Sequence, residues 1–139
     1  MRTNILLSTA FFAAAAIVAA QSAGSVWDGV YSAAQAAKGE GLYKFECSSC
    51  HGDDLQGSGP MPGLSGEDFR KEWDGQSVGD LFSRIQTTMP GDKPGKLTPD
   101  VNASIVAFLL KSNGYPAGKA DLKGDTAVLD KIRFQAQKR

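Results

Sequence analysis

The five residues Cys47-Ser48-Ser49-Cys50-His51 constrain this chain more than any other feature. They hold both cysteines and the one histidine of a 139-residue sequence. Two thiols three apart at a helix end project to the same side, and the residue that follows is held beneath them. Three chemistries use a C-x-x-C step, and the residue counts separate them. A thioredoxin-like dithiol follows a strand in a βαβ unit, and no alternating strand pattern is visible here. A structural zinc needs about four ligands, and two Cys with one His fall short. The third pattern, C-x-x-C-H, is that of covalent c-type haem attachment, with both thiols bonded to the porphyrin and the adjacent imidazole ligating iron. Cys47, Cys50 and His51 are therefore the expected cofactor-binding residues, with His51 a metal ligand.

A second axial ligand has few candidates. With no other histidine, bis-His ligation within this chain is excluded. Met61 and Met89 are the methionines beyond Met1. Met61 sits ten residues after His51 in Pro60-Met61-Pro62 and reads as a loop residue on the His side. Met89 precedes Pro90, which biases it to extended backbone. It lies between two helical stretches, so its loop can return the thioether to the far face of the ring; the competing role is that of a core gap-filler. His51 and Met89 are the expected metal ligands. Six-coordinate iron of this kind leaves no open position for oxygen or peroxide, and a thioether ligand favours the reduced state.

Charge and hydropathy narrow the remaining classes. Fifteen Lys and Arg balance fifteen Asp and Glu, so the chain carries no electrostatic footprint for nucleic acid. The start, with Arg2 and then an apolar, Ala-rich run from Ile5 to Ala20, reads as a signal peptide over 1–20, with cleavage as late as 23. That run is shorter than the roughly 20 residues that span a bilayer, so an uncleaved anchor is the weaker alternative. The mature chain is expected to have no membrane span. Residues 24–115 hold 8 basic and 12 acidic side chains, whereas 116–139 hold 6 and 3. An acidic body with a basic tail invites contact between them.

The rest reads as short helices between Gly/Pro loops. Gln35 to Cys47 has Ala36, Gly39, Tyr43 and Cys47 near one face. Ser65-x-x-Asp68 and Ser77-x-x-Asp80 both have the form of a capping box. They would open one helix with Phe69 and Trp73 and another with Leu81, Phe82 and Ile85. Thr98-Pro99-Asp100 starts the clearest helix, with Val101, Ile105, Phe108 and Leu109 on its apolar side and Asn113-Gly114 at its end. Near the C-terminus, Asp125-Thr126 would cap a short helix over 126–131 that presents Leu129 and Ile132. Those residues, with Leu122 and Phe134, make it expected that the tail packs back on the body; docking on a dehydrogenase is the alternative.

These motifs resemble a class I, monohaem cytochrome c of the bacterial periplasmic type, over about residues 35–114. Gly39 and Tyr43 match that family's Gly and aromatic on the first helix, where the last helix crosses closely, with Ile105 and Phe108 as its partners. Pro62-x-Leu64 resembles the family's Pro-x-Leu, in which the proline carbonyl accepts the proximal imidazole N–H and the leucine packs on the ring. Pro62 and Leu64 thereby join the expected cofactor-binding residues. Met89-Pro90-Gly91 resembles the segment that supplies the distal ligand. The resemblance implies an all-α fold wrapped around one haem c with its iron. The division it suggests is a lead-in over 21–34, a cytochrome c domain over 35–117 and an extension over 118–139. The lead-in and extension are similar to segments of small cytochromes that accompany periplasmic quinoprotein dehydrogenases.

The function implied is that of a soluble, monomeric periplasmic electron carrier and not an enzyme. Its redox partners would be proteins, a dehydrogenase or membrane complex as donor and an oxidase or other acceptor. The alternatives are a haem-based gas or redox sensor with a labile Met ligand and a low-turnover peroxidase. The loop Gly57-Ser58-Gly59 and the segment from Met89 to Lys96 are expected to rim the haem edge, with Lys93 and Lys96 orienting an acidic partner.

Overall fold

Helix α5 (Pro99–Ser112) is the element on which the others pack, and its burial explains why. The Thr98 hydroxyl accepts from the Val101 amide, and Pro99 supplies an N-terminal turn that needs no amide hydrogen bond. From Asn102 to Leu110 every residue is buried. The apolar side expected from Val101, Ile105, Phe108 and Leu109 is thus too narrow, because the helix is covered all round. The computed structural model describes residues 24–138, and the expected leader over 1–20 lies outside the described residues.

Helix α1 (Ala33–Glu46) crosses α5 at Gly39. A Cβ at that position would lie 1.8 Å from the Ser104 carbonyl oxygen and 3.0 Å from Phe108 Cβ, so only hydrogen fits. The crossing is therefore as close as expected, with Ser104 and Phe108 at the contact in place of Ile105 and Phe108. Tyr43 and Phe108 rings meet one turn further along, 5.3 Å between centroids. The helix starts two residues before Gln35 because Ser32 caps it, its hydroxyl accepting from the Gln35 amide at 3.0 Å.

Three further helices complete the body: α2 (Ser48–His51), α3 (Glu67–Trp73) and α4 (Val78–Thr88). The capping box at α4 forms in full, with Ser77 Oγ accepting from the Asp80 amide and Asp80 Oδ2 accepting from the Ser77 amide. The one expected at α3 does not. Gly66 caps that helix without a side-chain hydrogen bond, and the Ser65 hydroxyl accepts from Gln56 Nε2 instead.

The two flanking segments are joined to each other and to the body. Gly24–Ser25 (β1) pairs in parallel with Ile132–Arg133 (β2), with Gly24 opposite Ile132. This short pair corrects the expectation of no strand; the fold stays mostly helical. Helix α6 (Thr126–Leu129) begins at the Asp125 cap as expected but ends before 131, because the chain leaves it to form β2. Leu122, Leu129 and Phe134 are buried, Ile132 is half-buried, and Gly118 N donates to Tyr31 O at 2.7 Å. The tail packs on the body. Among the described residues no helix is long and apolar enough to cross a membrane.

Candidate functional site

The end of α1 delivers the cysteine motif. Cys47 closes α1 and opens α2, its amide donating to Tyr43 O and its carbonyl accepting from the amides of Cys50 and His51. This turn brings Cys47, Cys50 and His51 to the wall of one cavity, and the two cysteines are not bonded to each other. Tyr43 is fully buried, and its hydroxyl donates to Gly52 O at 2.7 Å, which ties down the backbone just after His51. Burial, with smaller contributions from Glu46 and Cys50, pushes the Cys47 thiol up to about 11. An unattached Cys47 is thus a neutral thiol near pH 7.

His51 is buried, and its Nδ1 lies 2.9 Å from Pro62 O. A carbonyl oxygen only accepts, so Nδ1 carries the proton, and in the neutral ring Nε2 is the nitrogen with the lone pair. That is the tautomer a metal ligand requires. The loop bearing Pro62 is itself anchored. Leu64 N donates to Leu55 O at 2.7 Å, and Asn113 at the end of α5 donates from Nδ2 to Leu64 O and accepts at Oδ1 from Gly66 N. Leu64 is half-buried and lines the same cavity.

The two methionines reach the cavity from different elements. Met89 ends α4 in extended backbone, φ −118 and ψ 154, as a residue before proline should be. It is half-buried against the core and lines the cavity. Met61 also lines it but is 41% exposed, and its backbone exchanges two hydrogen bonds with Ser58 in the loop that carries Pro62.

The cavity holds about 820 Å³, within the usual range of roughly 300–1,000 Å³ for cofactor pockets. Its walls are mostly apolar, from Phe69 and Trp73 of α3, Leu81 and Ile85 of α4, and Ile105 and Leu109 of α5. Two thiols at one edge, a buried imidazole of fixed tautomer and apolar walls suit a flat, tethered macrocycle. Among the described residues no group of three or more His, Cys, Asp or Glu is placed to hold a metal ion by itself.

The rim differs from expectation in two ways. Met89 to Asp92 and Lys96 border the cavity, but Gly57-Ser58-Gly59 does not; that loop is held closed on itself by the Ser58–Met61 pairing. Lys96 is not a free cation at the mouth. Its Nζ lies 2.7 Å from Glu46 Oε2 and 5.9 Å from the ring centre of Phe45, a side chain that is 82% exposed. Four further contributors carry no sequence signal of their role at the site: Phe69, Trp73, the Tyr43 hydroxyl and Asn113. The first two share a helix face four residues apart, a spacing that marks burial but not what is buried.

The family model described as cytochrome c oxidase, cbb3-type, subunit III, matches residues 34–109, more than half of the chain. No curated protein sequence matches it. Among solved structures, the sulfane dehydrogenase SoxCD from Paracoccus pantotrophus superposes with a TM-score of 0.51 at 23% sequence identity. The match covers 78% of this chain and 61% of that one, and it shows a shared fold. With the attachment motif, the fixed imidazole and the family match in agreement, the chain belongs to the cbb3-type oxidase subunit III family of cytochrome c domains, as a class I monohaem cytochrome c with covalently bound haem c and its iron.

Proposed function

We propose that this haem-based electron carrier works in the periplasm with His51 and Met89 as its axial ligands. The haem, when bound, supplies a one-electron redox couple. The chain's own residues do the rest. Cys47 and Cys50 tether the ring, and Pro62 O holds His51 in one orientation. Leu64, Phe69, Trp73, Leu81 and Ile85 exclude water, which keeps the reduced state favoured. Met89 offers a thioether from the end of a capped helix, so the ligand is held by the fold and little rearrangement accompanies electron transfer.

The observation that carries this reading is the His51 Nδ1 contact with Pro62 O beside the Cys47 and Cys50 side chains, with Met89 on the same cavity. Met61 stands beside Pro62 and so belongs to the proximal wall, which favours Met89 for the distal place. Export through residues 1–20, a dehydrogenase or membrane complex as donor and a separate terminal acceptor complete the proposal. A dehydrogenase donor is in keeping with the fold neighbour's name.

The test is spectroscopic. The matured protein should be six-coordinate in both oxidation states, with a thioether–iron band when ferric and no carbon monoxide binding when ferrous. Met89→Ala should keep covalent haem, lose that band, lower the potential and bind carbon monoxide; Met61→Ala should do none of these. The reverse pattern would assign the ligand to Met61. Carbon monoxide binding by the unaltered protein would favour a sensor or peroxidase role.

A further inference from the structure

The family match stops at residue 109, yet the segment beyond residue 116 reaches the back of the cavity wall. Phe134 is fully buried, with its ring 6.4 Å from Phe69 and 5.9 Å from Trp73, both of which line the cavity. Its backbone forms a clamp. Phe134 N donates to Gln76 O, and Gly75 N donates to Phe134 O, each at 2.9 Å. Ala136 N adds a bond to Asp74 Oδ1 at 2.8 Å. Residues 74–77 are the turn between α3, which carries the aromatic wall, and α4, which ends in Met89. The clamp is fastened from outside by Trp27 Nε1, which donates to Gln135 O at 2.9 Å.

We propose that Phe134 is a positioning residue for the haem site: it backs the Phe69–Trp73 wall and fixes the α3–α4 turn that aims Met89. The proposal rests on the reading of Met89 as ligand. Interiors are close-packed, so a void behind Phe69 and Trp73 lets these rings retreat and the turn relax. Water then approaches the iron's surroundings, which favours the ferric state, and α4, released at its first turn, shifts as a unit and carries Met89 at its far end with it.

The experiment uses the full-length matured protein with Phe134→Ala and Phe134→Leu. Three quantities are read: the reduction potential under fully folded conditions, the denaturant midpoint for loss of the thioether–iron band, and the midpoint for loss of helix by circular dichroism. Phe134→Ala should lower the potential and move the band midpoint down by more than the helix midpoint. Phe134→Leu, which refills most of the volume, should show the same two shifts at less than half the size. An unchanged potential, with both midpoints falling together, would make Phe134 an ordinary core residue and overturn the proposal. If Phe134→Ala does not fold, Phe134→Leu decides by the same criteria. Absence of the thioether–iron band from the unaltered protein, or its survival in Met89→Ala, would instead refute the ligand reading on which the proposal rests.

Discussion

Replacing Gly39 by alanine tests the crossing that holds this domain together. In an exposed helix the change would stabilise by up to about 1 kcal/mol, because alanine is the better helix former. Here the new methyl would sit 1.8 Å from the Ser104 carbonyl oxygen and 2.6 Å from its carbon. Those are backbone atoms and cannot rotate away, so α1 and α5 must separate. Overpacking of a tight core costs about 1–3 kcal/mol and occasionally more, and a backbone clash belongs at the upper end. The net expectation is a loss of at least about 2 kcal/mol, or roughly 6–12 °C in Tm for a domain of this size. Gly41 supplies the control, since a Cβ there meets nothing within 4 Å in the same helix. Gly41→Ala should be neutral or stabilising by up to about 1 kcal/mol. Thermal and denaturant unfolding followed by circular dichroism measure both. A Gly39→Ala protein as stable as its parent, or an equal loss in Gly41→Ala, would refute the close-crossing argument.

Pro62→Ala keeps the carbonyl that His51 uses but frees the loop, so the thioether–iron band should be lost at a lower denaturant midpoint; an unchanged midpoint would remove this loop from control of the site. Ser77→Ala should cost about 1 kcal/mol in chemical denaturation, since it leaves the start of α4 uncapped. Hydrogen bonds from the Ser77 backbone and side chain hold the Asp80 carboxyl below its usual range. A carboxyl depressed by folding stabilises above its unfolded pKa, near 3.9, and that contribution is lost as pH falls through the folded value. Asp80→Asn should therefore lower stability at neutral pH and flatten the decline in stability below about pH 4, which acid titration of unfolding checks. Gln35 donates from Nε2 to Leu122 O and accepts at Oε1 from Leu122 N, both buried. Gln35→Ala should thus cost about 2–4 kcal/mol in denaturant unfolding and speed amide exchange at Leu122, because it strands two backbone groups.

What the sequence determined by itself was chemistry and local geometry. The Cys47–His51 motif identified the cofactor because its meaning lies within five consecutive residues. Ser77, Thr98 and Asp125 marked helix starts because a cap acts over three residues, and Pro90 dictated the extended backbone of Met89 for the same reason. Ser65 shows the limit of that logic. Its pattern equals that of Ser77, but Gln56 competes for the hydroxyl across the loop, and no local signal announces the competitor. Tertiary structure alone decided the rest. The pairing of Gly24 with Ile132 joins residues more than a hundred apart, and two-residue strands are too short to carry a pattern. Lys96 reads in the sequence as a loop cation that orients an acidic partner, but the fold brings Glu46, fifty residues earlier, to within 2.7 Å. Phe134 looked like one apolar residue in a basic tail, and only the packing placed it behind the wall of the haem cavity. Short-range hydrogen bonding is encoded where it acts, whereas burial and charge pairing depend on which distant surfaces meet.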